Sequence, residues 1–304
     1  MKLTRAGHLV LKLIRRAGLA VATAGTVMTM AVAPSPASGA AGTLGAAATP
    51  GAPAAAPAAP VTVQSVQVPV PGQRPVLAYL VRPAGPLAPG SHAGILFLHW
   101  LGQIHSDRSE FLAEATELAS QGAVSLLPQG IFPWQAAPTG KPRDVATIRH
   151  QLAAFRACLH WLTARPYVDR ARAAVVGHDY GAMYGALLAS SDPAVHTAVL
   201  AAPDATWGHW FVKYWLGFTG KHAARYKALF AGLQPVRHVS RLGARELFQW
   251  AGQDIFVSAQ VRREFARQAP LARVRLYRTS DHQLTDAAQA DRDAFLVHEL
   301  GLTR

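Results

Sequence analysis

The sequence predicts an α/β fold, in which helices cover both faces of a mostly parallel sheet of about eight strands. Short apolar stretches alternate with segments of helical spacing along residues 61–304, a pattern typical of parallel sheets with crossover helices. Stretches such as 95–99 and 197–201 are almost wholly apolar, as expected for strands buried on both faces. The 244 residues from 61 to 304 are enough for one large core.

The strands and helices follow from local signals in chain order. Pro69, Pro71 and Gly72 separate the first two strands and predict an antiparallel hairpin. Apolar side chains recur on one side of 144–164, and Gly122 ends the helix before it. Strands are predicted at 61–68, 76–81, 95–99, 124–127, 173–176, 197–201, 247–251 and 274–277. Helices are predicted at 109–121, 144–164, 182–190, 257–269 and 286–300.

Residues 1–40 have the pattern of a secretory signal peptide. Basic side chains such as Arg15 and Arg16 precede an apolar run over 17–33, and small residues follow at Ser38 and Ala40. The alternative is an uncleaved membrane anchor, although the run is short and rich in Ala, Gly and Thr. We therefore expect a secreted or cell-envelope protein, without membrane attachment once the signal is cleaved.

Residues 41–60 are almost wholly Ala, Pro, Gly and Thr, which predicts a disordered linker before the domain at 61–304. The whole chain has a net charge of +13. Without residues 1–60, 25 Lys and Arg remain against 17 Asp and Glu, a net charge of +8. These basic residues are scattered and form no nucleic-acid-binding motif. A generally basic surface is therefore expected, and no nucleic-acid partner.

The most informative stretch is the strand–turn–helix segment at 173–186. It contains Gly177-His178-Asp179-Tyr180-Gly181, which has the spacing of a nucleophile elbow with Asp179 in the nucleophile position. Glycine is expected on both sides of that position because a Cβ atom there would collide with the neighbouring strand or helix. An Asp in such a turn is also compatible with an ordinary helix cap.

The chain from residue 61 onward resembles the α/β-hydrolases, and within them the dienelactone-hydrolase-like group. The resemblance lies in the stretches 94–100, 164–172 and 177–181. The chain differs from that group at the nucleophile, where the group has Cys or Ser, and at His99-Trp100, where many relatives have His-Gly. An Asp at the elbow is instead similar to haloalkane dehalogenases and epoxide hydrolases.

The fold that this resemblance implies requires the order nucleophile, acid, histidine along the chain. Asp254 follows the strand at 247–251, and His282 follows the strand at 274–277. Because active sites of parallel sheets collect at the carboxyl ends of strands, we predict an Asp179–His282–Asp254 triad. Asp204, after the strand at 197–201, is the main alternative for the acid.

The oxyanion hole is expected to consist of backbone N–H groups. One belongs to Tyr180, and the other belongs to the loop after 95–99, either to Trp100 or to Leu101. The segment at about 204–243 is rich in aromatic residues and is predicted to be a lid, or else a helical insert that packs onto the sheet. Candidate substrate-contacting residues in it are Tyr214, Trp207 and Trp210.

A carboxylate at the elbow predicts a particular chemistry. It needs no activation at neutral pH and attacks an sp³ carbon, giving an ester that water activated by His282 cleaves at the Asp179 carbonyl. The predicted function is an exported hydrolase of a small organic substrate, which is an ester or lactone, an epoxide or a halide. The alternative is a binding protein descended from a dienelactone-hydrolase-like enzyme. Histidine spacing indicates no metal, and no cofactor is expected.

Overall fold

A computed structural model describes residues 60–102, 105–239 and 241–303 of the chain. The predicted signal peptide at 1–40 and nearly all of the predicted linker at 41–60 lie outside these residues, so both stay predictions. Among the described helices, none combines the length and the apolar character needed to span a bilayer.

The described chain forms one eight-stranded sheet with the strand order β1-β2-β4-β3-β5-β6-β7-β8. β1 is antiparallel to β2, and β2 is antiparallel to β4, whereas every other neighbouring pair is parallel. The predicted hairpin and the mostly parallel sheet are therefore confirmed. The strands are β1 (Val61–Val68), β2 (Val76–Pro83), β3 (His92–Leu98), β4 (Ala123–Pro128), β5 (Val168–His178), β6 (Thr197–Ala201), β7 (Glu246–Ala251) and β8 (Arg273–Tyr277).

Helices cover both faces of the sheet, and two hydrophobic clusters mark the two faces. The ends of the predicted helices differ from the observed ends by three residues or fewer. The helices are α1 (Leu112–Ser120), α2 (Arg143–Thr163), α3 (Tyr180–Ser191), α4 (Trp207–Trp210), α5 (Gly220–Ala228), α6 (Ala259–Gln268) and α7 (Asp286–Leu300). A π-helical turn, Phe211–Leu216, continues α4.

The helical insert between β6 and β7 lies over the carboxyl ends of the central strands. Its α4 and π-helical turn contribute Trp207, Trp210 and Phe211 to the main hydrophobic cluster. Trp207 is fully buried and lies beside Tyr184 on α3, with ring centroids 4.7 Å apart. The insert is thus packed onto the sheet, and the edge where the sequence predicts the active site lies beneath it.

Candidate active site

Asp179 lies in a strained turn between β5 and α3. Its backbone has φ +56° and ψ −119°, a region that non-glycine residues seldom occupy and that costs about 1–3 kcal/mol. A Cβ atom on Gly177 would lie 2.4 Å from the Gly181 carbonyl oxygen, and one on Gly181 would lie 1.9 Å from the Leu98 carbonyl oxygen. Both glycines are therefore required by contacts with backbone, as the sequence predicts.

The two carboxylate oxygens of Asp179 have different surroundings. Oδ2 accepts a hydrogen bond of 2.9 Å from the Leu101 amide. Oδ1 is buried and has no hydrogen-bond partner, and it lies 3.7 Å from Nε2 of His282. One oxygen is therefore held by the backbone, while the other faces the histidine with its lone pairs unused.

His282 is held between two carboxylates. Its Nδ1 lies 2.8 Å from Oδ2 of Asp254, and Oδ1 of Asp254 accepts the amides of Phe256 and Val257 at 2.8 and 2.9 Å. Burial alone would lower the pKa of His282, but the proximity of Asp179 and Asp254 raises it to about 10. Burial would raise the pKa of Asp254, and its contact with His282 outweighs this and lowers it.

Asp204, the alternative acid, does not contact His282. It is fully buried after β6, and its Oδ2 lies 3.2 Å from Nδ1 of His209. Its Oδ1 accepts the Thr206 amide at 2.9 Å. Of the two candidate acids, the structure brings only Asp254 to the histidine, because the loop after β7 reaches His282 whereas Asp204 turns into the base of the insert.

Of the two amides that the sequence offers from the loop after β3, that of Leu101 contacts Asp179. The Trp100 amide donates to Oε2 of Glu110 at 2.5 Å, so it points away from Asp179. The next amide, that of Leu101, points to Oδ2. Tyr180 is the first residue of α3, where backbone N–H groups have no acceptor within the helix; this position suits the second predicted donor.

His99 fixes the loop that carries these amides. Its Nδ1 lies 3.0 Å from the Trp100 carbonyl oxygen, so Nδ1–H donates, and its Nε2 accepts the Gly130 amide at 2.9 Å. Burial lowers the pKa of His99 to about 4, which keeps the ring neutral. The Trp100 carbonyl also accepts Nε1–H of Trp134 at 2.8 Å. The loop is therefore held from two sides.

Aromatic side chains surround His282. The rings of Phe256 and Trp210 lie 5.0 and 6.0 Å from the His282 ring. Nε1 of Trp210 is buried without a hydrogen-bond partner, as is Nε1 of Trp207. The hydroxyl of Tyr214, a candidate substrate-contacting residue, already donates to the Phe256 carbonyl at 3.0 Å. The unpartnered donors of the insert are thus indole N–H groups.

Sequence reasoning missed the pairing of His178 with Glu110. Nδ1 of His178 lies 2.7 Å from Oε1 of Glu110, and its Nε2 lies 2.9 Å from the carbonyl oxygen of His282. The position of His178 inside the elbow is visible in the sequence. Glu110 precedes α1 and is 68 residues away along the chain, so no local signal connects the two.

No group of three or more His, Cys, Asp and Glu side chains suited to a metal ion occurs in the described part of the chain. The site combines a carboxylate in a strained turn, a histidine between two carboxylates, and an amide donor on one carboxylate oxygen.

The same fold occurs in solved structures of esterases. An acetyl xylan esterase from Paenibacillus sp. R4 matches with a TM-score of 0.60 and 15% identity, over 96% of this chain and 92% of that chain. An esterase from Pyrococcus furiosus matches with a TM-score of 0.56 and 15% identity, over 79% and 91%. A Klebsiella pneumoniae protein assigned as a dienelactone hydrolase matches with a TM-score of 0.56 and 14% identity, over 79% and 98%.

These likenesses confirm the fold: the chain has the α/β-hydrolase fold, with structural neighbours in the dienelactone-hydrolase-like group. Neither a family model nor a curated protein matches the sequence. At identities of 14–15%, the activity has to be argued from the site itself.

Proposed function

We propose that this protein is a hydrolase in which Asp179 is the nucleophile, His282 the general base and Asp254 the acid that orients it. The substrate is a small organic molecule that carries an ester or lactone, an epoxide or a halide. The proposal rests mainly on the unequal surroundings of the two Asp179 oxygens, since Oδ2 accepts the Leu101 amide while Oδ1 is free of hydrogen bonds. The esterases among the structural neighbours support the same reaction class.

In the first step, Oδ1 of Asp179 attacks an sp³ carbon of the substrate. The new bond joins Oδ1 to that carbon, and the bond from carbon to the leaving group breaks with its electron pair. A halide or a carboxylate departs as an anion, whereas an epoxide oxygen stays attached as an alkoxide and takes a proton from solvent. In each case Asp179 becomes a neutral ester. Oδ2 becomes the carbonyl oxygen of this ester and keeps its contact with the Leu101 amide.

The leaving anion needs a hydrogen-bond donor in the aromatic enclosure. We assign this role to Trp210, because its Nε1 is buried and unpartnered and its ring lies beside both His282 and Tyr180. Trp207 has an unpartnered Nε1 as well, but it packs against Tyr180, Tyr184 and Phe211 and has no ring contact with His282. A buried N–H donor gains strength from the low local dielectric.

In the second step, water attacks the carbonyl carbon of the ester on Asp179. Nε2 of His282 takes a proton from this water, and the negative charge develops on Oδ2, where the amides of Leu101 and Tyr180 stabilise it. Collapse of the intermediate releases the alkoxide, which takes the proton from His282. The product is an alcohol, and Asp179 is left as a carboxylic acid that passes its proton to Nε2 of His282, which restores the carboxylate and the protonated histidine of the resting site.

The alternative is a protein that only binds its ligand, with an elbow whose ancestral Ser or Cys has been replaced. The retained contact of 2.8 Å between His282 and Asp254 favours catalysis. Export is a separate proposal that rests on the signal-like residues 1–40. It is tested by cell fractionation and by the N-terminal sequence of the mature protein.

The central test is intact-mass spectrometry of His282→Ala, incubated with a panel of epoxides, haloalkanes and activated esters. This variant should accumulate a covalent adduct on Asp179, because the ester forms but is not hydrolysed. His209→Ala is the matched control, since His209 also contacts a buried aspartate but lies outside the triad; it should turn over substrate without an adduct. The double variant Asp179→Asn/His282→Ala should give none. Absence of both adduct and turnover across the panel would favour the binding protein.

A further inference from the structure

Glu110 and His178 form a buried pair that touches three parts of the active site. Oε2 of Glu110 accepts the Trp100 amide, and Oε1 contacts Nδ1 of His178. Nε2 of His178 contacts the backbone carbonyl of His282. The pair therefore connects the oxyanion-hole loop, the elbow and the loop that carries the general base.

Hydrogen-bond chemistry determines where the protons of this pair lie. The carbonyl of His282 can only accept, so Nε2 of His178 must carry a proton. One further proton lies between Nδ1 and Oε1, because two acceptors at 2.7 Å would otherwise repel each other. Whether this proton belongs to the carboxyl or to the imidazole, the two side chains together have no net charge. Burial raises the pKa of Glu110, and the charge of His178 opposes that rise.

The contacts of the pair also restrict the orientation of the peptide groups around it. Trp100 stacks on the His178 ring, with centroids 5.0 Å apart and planes 9° apart, while its amide is held by Glu110. The following amide, that of Leu101, is thereby directed at Asp179. On the other side of the elbow, the anchored carbonyl of His282 fixes the loop that places Nε2 at 3.7 Å from Oδ1 of Asp179.

We propose that Glu110 and His178 are positioning residues, which hold the Leu101 amide and His282 in register with Asp179. This inference rests on the proposed function for its catalytic consequence, but the geometry that it describes can be measured without a substrate. Neither residue touches the reacting atoms. Their effect is exerted through the backbone of Trp100 and of His282.

The variant Glu110→Gln should preserve the geometry. The amide oxygen of Gln can accept the Trp100 N–H, and its NH₂ group can donate to Nδ1 of a neutral His178. Glu110→Ala removes both hydrogen bonds. Because the wild-type pair is neutral overall, and Arg292 and Glu114 nearby remain paired with each other, neither variant changes the net charge around His282. A change in the pKa of His282 would then show that the His282 side chain has moved relative to Asp179 and Asp254.

The first measurement is NMR of ¹⁵N-histidine-labelled protein in wild type, Glu110→Gln, Glu110→Ala and the control Glu117→Ala, which removes an exposed carboxylate from α1, the helix that follows Glu110. We expect Nε2 of His178 to be protonated throughout, and Nδ1 to become a plain acceptor in Glu110→Gln. The pKa of His282 should fall only in Glu110→Ala. Finding Nε2 of His178 unprotonated in the wild type, or no pKa change in a folded Glu110→Ala, would overturn the proposal.

The second measurement uses a substrate found in the adduct test. Glu110→Ala should lower kcat by about 10²-fold with little change in KM, as small misplacements of catalytic groups do. Glu110→Gln should restore most of that loss. Equal kcat values for wild type and Glu110→Ala would refute the positioning role. If no substrate reacts at all, the proposed function fails, while the NMR result still decides whether the pair holds His282.

Discussion

The charge on Asp179 should control the pKa of His282. Asp179→Asn replaces the carboxylate by a neutral group of the same shape, which mimics the ester formed in the first step. At 3.7 Å between Oδ1 and Nε2 and an effective dielectric constant of about 20, the lost attraction is about 4 kcal/mol, or about three pKa units. The pKa of His282 should therefore fall from about 10 to about 7.

This shift matters for the mechanism because the resting histidine is protonated at neutral pH. An imidazolium cannot take a proton from water, so in the proposed mechanism His282 becomes a base only after Asp179 has been alkylated and has lost its charge. The proton on Nε2 then leaves to solvent before the second step. In this mechanism the alkylation of Asp179 turns His282 into a base. Water can therefore be activated only after the ester has formed.

The assay is an NMR titration of the histidine side chains, with the His282 signal identified by its loss in His282→Ala among the 13 histidines of the chain. Asp204→Asn is the control, because that buried carboxylate contacts His209 and not His282; it should leave the pKa of His282 unchanged. If His282 has the wild-type pKa in Asp179→Asn, then Asp179 and His282 do not form an ion pair and the reasoning is refuted.

Three further predictions concern packing, the leaving group and pH. Gly181→Ala should destabilise the protein by at least about 3 kcal/mol in urea unfolding, because its Cβ atom would lie 1.9 Å from backbone. Gly185→Ala should be nearly neutral, because its Cβ atom meets only the side chains of Leu200 and Val175, at 3.0 and 3.4 Å. Trp210→Phe should slow adduct formation about 10²-fold in reactions quenched at successive times, and Trp207→Phe should slow it much less. Equal rates of adduct formation in the two variants would rule out Trp210 as the donor. The folded pKa of His282 lies above its unfolded value of 6.5, so its stabilisation is complete below about pH 6.5 and is lost as the pH rises through about 10. Thermal unfolding of wild type and His282→Gln should therefore converge toward pH 10, and a constant difference would contradict this.

Most of the fold was accessible from the sequence because its elements have strong local signals. Buried parallel strands such as β3 and β6 are almost wholly apolar, and α7 has the predicted bounds of 286–300. The elbow was recognisable because only glycine fits the two flanking positions, where any Cβ atom would overlap backbone. Asp254 and His282 could be predicted because each follows a strand whose carboxyl end lies at the same sheet edge.

The details of hydrogen bonding around the site were not accessible in the same way. Whether the amide of Trp100 or that of Leu101 faces Asp179 depends on which of the two donates to Glu110. Glu110 lies beside that loop only once the turn before α1 has packed in the folded protein. The choice between Asp254 and Asp204 depends on the paths of two loops. Both carboxylates follow strands of the same sheet, so the sequence pattern favoured Asp254 but left Asp204 as an alternative.

The sequence by itself determines the order of the candidate side chains along the chain. A carboxylate at the elbow comes first, then an acid, then a histidine, and each follows a strand of an α/β-hydrolase fold. These features are local, since they depend on apolar runs and on steric limits at single residues. The tertiary structure alone decides which oxygen of Asp179 has no hydrogen bond and which amide donates to the other oxygen. It also decides that Glu110 and His178 connect three loops. Those contacts join residues far apart along the chain, and hydrogen bonds between such residues exist only once the sheet has brought its strand ends together.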